Sequence, residues 1–531
     1  MNELSACKGR YTENEPVRLF LRQDVHADRA DWRITYLEKE IFSGSVPVIR
    51  TEQKLILPAL EEGGYGVEVD LYRNGAFLFK LTTAVNAGGE VVRYGFLCDF
   101  QEKETDAVAT LAKYHITHVQ FYDWSWRHDH LVAPADEYLD MMGKHNSLPV
   151  IRKRIADCHQ HGMAAMAYGA VYAACREFRE AHPDWGLYGA GGQPLIFINT
   201  FYYMDIDSPW RNHLIHEYQK AVTEIGFDGI HMDTYGEPKI AFTQNGKKRF
   251  LEDSFPALIK DTDAAMKSSG IRFRLIFNNV GTWPAEKTKD CPQDAVYMEL
   301  WPPMDRYRHL RAAVQKAGNH PVVLAAYPAA FRTDQPDRAL YSQLLLSFAI
   351  AMYGATQLFI GEKNAVVTQG YYADYTRLTE DQATRIRCYE DFFVRYGDLL
   401  YDRSLEDVTY THFGGDNMEY RMDAPCSADG DPDRIWIIIR ENRNRKIIGF
   451  ANLCGVQDDH WNTGKDRPVP QQNVILHILT DKEPAGVWYA SPDQNAGDPM
   501  KIQYLASQCQ YGLEISCVIP VLICCGLIWI S

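Results

Sequence analysis

The chain has no block of lysine and arginine, no paired cysteine motif and no apolar run long enough to cross a bilayer as a helix. Each absence removes a class of function. Its 70 acidic residues outnumber 55 lysines and arginines, leaving a formal charge of −15. That balance repels nucleic-acid phosphates and anionic headgroups, so neither nucleic acid nor a membrane is an expected partner. Twelve cysteines lie scattered from Cys7 to Cys525 without a CxxC pair or a Cys/His cluster at zinc spacing. Such scatter argues against a disulfide framework and for a reducing compartment. The opening MNELSACKGRYTENEPVRLFL lacks the basic segment and apolar core of a signal peptide. A cytoplasmic location is therefore the expectation, with an extracellular one as its alternative. The final SCVIPVLICCGLIWIS holds an uncharged run of about 15 residues, short of the roughly 20 a spanning helix needs, and Pro520 and Gly526 interrupt it. Its Val, Ile and Trp content reads as buried β-strand. Repeats and low-complexity segments are also missing. So are a glycine-rich phosphate loop after the first strand and a serine at a nucleophile elbow.

What is present describes a globular protein, 46% hydrophobic and 12% aromatic. At 531 residues it exceeds one ordinary core. Residues 1–88 carry short alternating runs (VRLFLRQ, WRITYLEKEI, YGVEVDLYRNGAFLFKLTT), with Asn74-Gly75 as a hairpin turn. They are expected to form an N-terminal immunoglobulin-like β-sandwich, and AVNAGGE at 84–90 to link it onward. Between 89 and 400, eight apolar strand-like runs begin near 93, 118, 163, 227, 274, 295, 321 and 355. Amphipathic stretches separate most of them. SPWRNHLIHEYQKAVTEIG at 208–226 has Ser208 and Pro209 at its start and Gly226 at its end, and SLPVIRKRIADCHQHG and SFPALIKDTDAAMKSSG repeat that design. Eight strands alternating with helices predict a (β/α)8 TIM barrel, with an open doubly wound sheet as the alternative. LYGAGGQP reads as a turn. From 401 to 531 strand-like runs return, predicting a C-terminal β-sandwich.

In such a barrel the functional groups gather where strands run out. These ends are polar and aromatic: Asp99; Tyr122, Asp123 and Trp124 followed by Arg127, His128 and Asp129; Tyr168; His231 and Asp233; Asn278 and Asn279; Glu299 and Trp301; Tyr327; Glu362. One strand-end acid is more often a turn residue than a catalyst. Their convergence on one face points instead to a wet cleft with aromatic platforms, suited to a sugar chain. Asp233 and Glu299 are the best pair, at the ends of strands four and six. Two facing carboxyls divide glycosidic cleavage between a group that attacks or stabilises the anomeric carbon and a protonated one that serves the leaving oxygen. The apolar flanks of Glu299 (Met298, Leu300, Trp301) are expected to raise its carboxyl, and His231 to hydrogen-bond ionised Asp233 from two residues back. His128, Asp129 and His130 form a thin candidate metal set without a spaced partner, so no metal or cofactor is expected. Asp205 and Asp207 border the next helix, and Asp228 starts its strand in a structural role.

RYGFLCDF, QFYDWSWRHDHL, MAAMAYGAVYAA, GFDGIHMDTYGEPK, VYMELWPP and LAAYPAAF together resemble glycoside hydrolase family 66, bacterial dextranases and cycloisomaltooligosaccharide glucanotransferases, along the whole chain. The resemblance implies a retaining, endo-type, dextranase-like hydrolase of α-1,6-glucan. Asp233 is then the nucleophile and Glu299 the acid and base. Tyr122, Asp123, Trp124, His128, Tyr168, His231, Asn278, Trp301 and Tyr327 are then the lining of the glucose subsites. Cyclising members carry a carbohydrate-binding module inserted in the barrel, and no interval here has room for one. That favours hydrolysis over transglycosylation; a non-catalytic sugar-binding protein is the rival outside the enzyme class.

Overall fold

The computed structural model describes residues 2–101 and 107–530; Met1 and Ser531, the outer limits of the two flanking domains as predicted, lie outside them. Eight parallel strands form its centre: β1 (Tyr94–Leu97), β2 (His118–Phe121), β3 (Ala164–Ala170), β4 (Gly229–Asp233), β5 (Arg274–Val280), β6 (Ala295–Glu299), β7 (Val322–Ala325) and β8 (Ala355–Gln357). Each pairs with the next in chain order. The edges meet through a parallel bridge between Phe96 and Gly361 and the Thr356 hydroxyl on the Val92 carbonyl, so the sheet is nearly closed into a barrel rather than open. All eight predicted runs contain a strand. Barrel strands are buried on both faces, which is why they read as continuous apolar runs. The packed interior holds Tyr94, Phe96, Met166, Ile276, Tyr297 and Val323.

Helices cover the outside. Trp210–Lys220 starts with the Ser208 hydroxyl accepting the Trp210 amide and ends, after one wider turn, at Gly226 in the left-handed region (φ 100). Leu148–Gln160 and Phe255–Ser268 also stop at left-handed glycines, Gly162 and Gly270. Glu362 joins the last strand end to the first. Its Oε1 accepts the amides of Cys98 (3.2 Å) and Asp99 (2.8 Å), and the residue is fully buried. It closes the barrel instead of facing the cleft.

N-terminal to the barrel, a three-stranded and a four-stranded antiparallel sheet enclose Val17, Leu19, Leu21, Leu55, Ile34, Val67 and Val69. Asn74 and Gly75, both at positive φ, turn the hairpin between Gly63–Arg73 and Ala76–Ala87. That last strand takes in most of the predicted 84–90 linker, because Val85 and Ala87 belong to this core. C-terminal to the barrel, a second pair of sheets encloses Ile437, Ile439, Ile448, Phe450, Ile515 and Ile528. Trp436, Ile438, Ile447 and Trp529, on the opposite face of one of these sheets, join the barrel's outer core. Two-sided burial explains why RIWIIIRE does not alternate. The apolar C-terminal run forms the strands Gly512–Leu522 and Cys525–Ile530. No helix among the described residues is long and apolar enough to cross a membrane.

Candidate active site

Asp233 and Glu299 are the last residues of β4 and β6, and both are partly exposed in an otherwise buried neighbourhood. Every hydrogen bond given to either carboxyl comes from a donor. Asp233 accepts the Tyr168 hydroxyl on Oδ2 (2.6 Å) and the Asn278 amide on Oδ1 (2.7 Å). Glu299 accepts the Tyr327 hydroxyl on Oε1 and the Trp301 indole N–H on Oε2 (3.1 Å). Donors on both oxygens fix each carboxyl's rotamer, and at Asp233 they favour the ionised form. Against that, burial first and the charge of nearby Glu299 second push Asp233 up to about 7. An upward push on Asp233 was not expected from the sequence.

A single chain of tyrosines connects the pair. The Tyr168 ring touches that of Tyr122 (4.9 Å between centroids), which stacks on Tyr372 (4.5 Å, 15°). The Tyr372 hydroxyl lies 3.2 Å from that of Tyr327 and 3.0 Å from that of Tyr297. Because Tyr327 donates to a carboxyl, the hydroxyls align head to tail from Tyr297 through Tyr372 and Tyr327 to Glu299. Aligned hydrogen bonds polarise one another. Tyr372 was not among the sequence candidates. Its signal was the density of Tyr371, Tyr372 and Tyr375 in a loop after β8, and Gly370 lets that loop approach Trp301, whose ring lies 3.2 Å from where a Cβ would stand. Replacing Tyr372 by Phe is expected to cost roughly tenfold in kcat, ~1.4 kcal/mol, with KM on the same substrate unchanged. A steady-state comparison checks this, and a loss confined to KM would point to sugar contact instead.

The remaining candidates divide by exposure. Tyr122, Asp123 and Trp301 are partly exposed at the mouth. Asp123 holds a left-handed backbone (φ 49), which Asp tolerates better than most residues, and burial pushes its carboxyl up to about 7. Tyr168, Tyr327 and Asn278 are buried and reach the cleft through the carboxyls they hold. Asn278 Oδ1 has no partner among the described residues. His128 packs between Tyr168 (6.0 Å) and Phe201 (5.3 Å), with its Nδ1 likewise unpartnered among the described residues, and burial lowers it to about 4.

Two expectations are corrected. Trp124 is fully buried, packs on Phe227 and donates its indole N–H to the Tyr168 carbonyl (3.1 Å), so it supports the site from behind and offers no face to a sugar. His231 does not bond Asp233. Its Nδ1 meets the Tyr94 hydroxyl at 3.0 Å, its ring stacks beneath Tyr168, and burial lowers it to about 3, keeping it neutral. Two residues back along a strand is the same face but a lower layer of the barrel interior. Asp129 is buried and accepts the Cys175 amide, while Asp228 accepts the Ala165 amide. Among the described residues no three His, Cys, Asp or Glu gather as a metal site, and no disulfide is formed.

The model of the glycosyl hydrolase family 66 matches residues 8–526. The chain belongs to this family. It is 21% identical to a cycloisomaltooligosaccharide glucanotransferase of Niallia circulans, over 97% of this chain and 70% of that protein. It is also 21% identical to a dextranase of Streptococcus salivarius, over 66% of this chain and 50% of that one. The chain thus spans half of the dextranase's length. The fold matches the Paenibacillus sp. cycloisomaltooligosaccharide glucanotransferase complexed with cycloisomaltoheptaose, with a TM-score of 0.89 and 20% identity over the whole of both chains. Family 66 membership makes this chain a glycoside hydrolase by class, with its paired strand-end carboxyls at the mouth of the barrel.

Proposed function

We propose that this family 66 protein is a retaining, endo-acting hydrolase of α-1,6-glucosidic bonds in dextran or isomaltooligosaccharides, with antiparallel β-sandwich domains at residues 1–88 and 401–531 flanking the catalytic barrel. The observation that carries it is the pair of partly exposed carboxyls, each gripped by donors and joined through one tyrosine chain. In the first step ionised Asp233 forms a bond to the anomeric carbon while Glu299 gives its proton to the departing glycosidic oxygen. Glu299, now ionised, takes a proton from water, whose oxygen displaces Asp233 from the sugar. Tyr122, Asp123 and Trp301 offer the bound sugars rings and a hydrogen-bonding carboxyl. Transfer to a sugar hydroxyl in place of water is a second reading, favoured by the similarity to a glucanotransferase over nearly the whole chain.

The free site then works with one proton between the two carboxyls. With Asp233 raised to about 7 by burial and by Glu299's charge, a rise in pH through that value removes the proton the leaving oxygen needs. The kcat/KM for hydrolysis is expected to fall tenfold per pH unit above about 7; an unchanged kcat/KM at pH 9 contradicts this. The function itself is tested by incubating the purified protein with glucans of defined linkage and resolving the products. Shorter linear products from α-1,6-glucans alone support hydrolysis. Cyclic or lengthened products support transfer, and intact α-1,6-glucans overturn both.

A further inference from the structure

Beyond the mouth of the barrel, the β3 and β4 side of the cleft continues into a projecting hairpin that the catalytic pair does not use. The Val171 amide bonds the Asp233 carbonyl (2.9 Å), and Ala173–Ala174 pairs with Phe201–Tyr203, which pairs in turn with Ile196–Phe197. At its tip Ile196, Phe197 and Ile198 are 43%, 45% and 49% exposed. Three consecutive large apolar side chains in water contribute nothing to a core. The turn adds to the cost: Ile198 and Asn199 both hold left-handed backbones (φ 44 and 60), a conformation that a β-branched side chain disfavours. A hairpin optimised for folding alone would carry glycine or asparagine at position 198, as it does asparagine at 199.

Phe197 is also the outer end of a row of rings leading back to the chemistry. It stacks on Phe201 (6.4 Å, 22°), Phe201 packs on His128, and His128 packs on Tyr168, which holds Asp233. Its other neighbour, Tyr172 (6.3 Å), lies close enough to feel the charge of Asp233. A sugar ring has apolar C–H faces and a polar rim. An exposed phenyl flanked by aliphatic side chains, continuous with the aromatic wall of a sugar-cleaving cleft, matches such a face.

We propose that the Ile196–Ile198 tip is a remote subsite that holds a glucosyl unit of a long α-1,6-glucan chain away from the scissile bond. This rests on the α-1,6-glucan reading above. It assigns Phe197 to chain-length selection and leaves the reaction to Asp233 and Glu299.

The test compares the native chain with Phe197→Ser and Phe197→Trp on dextran and on a short chromogenic isomaltoside. It also compares Asp233→Asn with Asp233→Asn/Phe197→Ser for retention in dextran-containing native gels. Phe197→Ser is expected to raise KM on dextran roughly 3- to 10-fold with kcat unchanged, to leave both constants on the short substrate unchanged and to weaken retention. Phe197→Trp is expected to restore tight binding. Equal retention of the single and double variants overturns the subsite, as does an equal KM change on short and long substrates. So does a change in oligomeric state by light scattering, which would assign the tip to a second copy of the chain. Failure of the native chain to cleave any α-1,6-glucan overturns the functional reading instead, and gel retention then still decides whether the tip binds glucan.

Discussion

Asp233→Asn is expected to lower kcat on α-1,6-glucan by about a thousandfold or more, ~4 kcal/mol of lost transition-state stabilisation. The amide cannot form the glycosyl-enzyme bond, and no other carboxyl at the β4 end replaces it. The fold should survive. Asp233 now meets the Tyr168 hydroxyl on one oxygen and the Asn278 amide on the other. Asparagine keeps its oxygen toward Asn278 and turns its amide toward Tyr168, whose hydroxyl can accept. Stability should even rise in alkaline solution. Burial and the Glu299 charge raise Asp233 in the folded state from 3.8 to about 7, so ionising it costs the native state stability that is lost progressively as pH climbs between those values. The variant carries no such cost. Thermal melting above pH 7 is expected to favour the variant and below pH 4 to show no difference; a variant that melts lower at both pH values would make Asp233 a structural residue.

Glu299→Gln should show a different signature. Its loss in kcat/KM, which reports the first displacement, should depend on the leaving group: about a thousandfold with a sugar leaving group, which needs a proton, and far less with a glucosyl fluoride, which does not. Gln keeps an oxygen for the Tyr327 hydroxyl, so the tyrosine chain remains, while its amide group replaces the acceptor that Trp301 uses. Removing the like charge should also let Asp233 ionise at lower pH. A loss of equal size on both substrates would mean that Glu299 acts by some route other than proton transfer.

Much of this arrangement was readable before any coordinates because barrel strands are buried on both faces. GFDGIHMD and VYMEL stand out as apolar runs ending in a carboxyl, and the topology carries both ends to one mouth. Depth was not readable. Trp124 and His231 have the residue types and spacing of sugar contacts, but the layered interior puts one behind the wall and the other a layer below the cleft. Strand periodicity reports the face of a residue, not its height along the barrel. Tyr372 escaped for the opposite reason: it sits in a loop with no periodicity, and only folding brings it between Tyr122 and Tyr327. Glu362 resembled the other strand-end acids until its bonds to the Cys98 and Asp99 amides showed it sealing β1 against β8.

The anomeric form of the sugar first released decides most directly whether Asp233 is the nucleophile. Proton NMR of the native protein acting on an isomaltooligosaccharide, recorded before mutarotation, should show the new reducing end appearing as the α-anomer, because two displacements at one carbon through Asp233 restore the starting configuration. Initial release of the β-anomer would mean a single displacement by water, and would contradict the assignment of Asp233 as nucleophile.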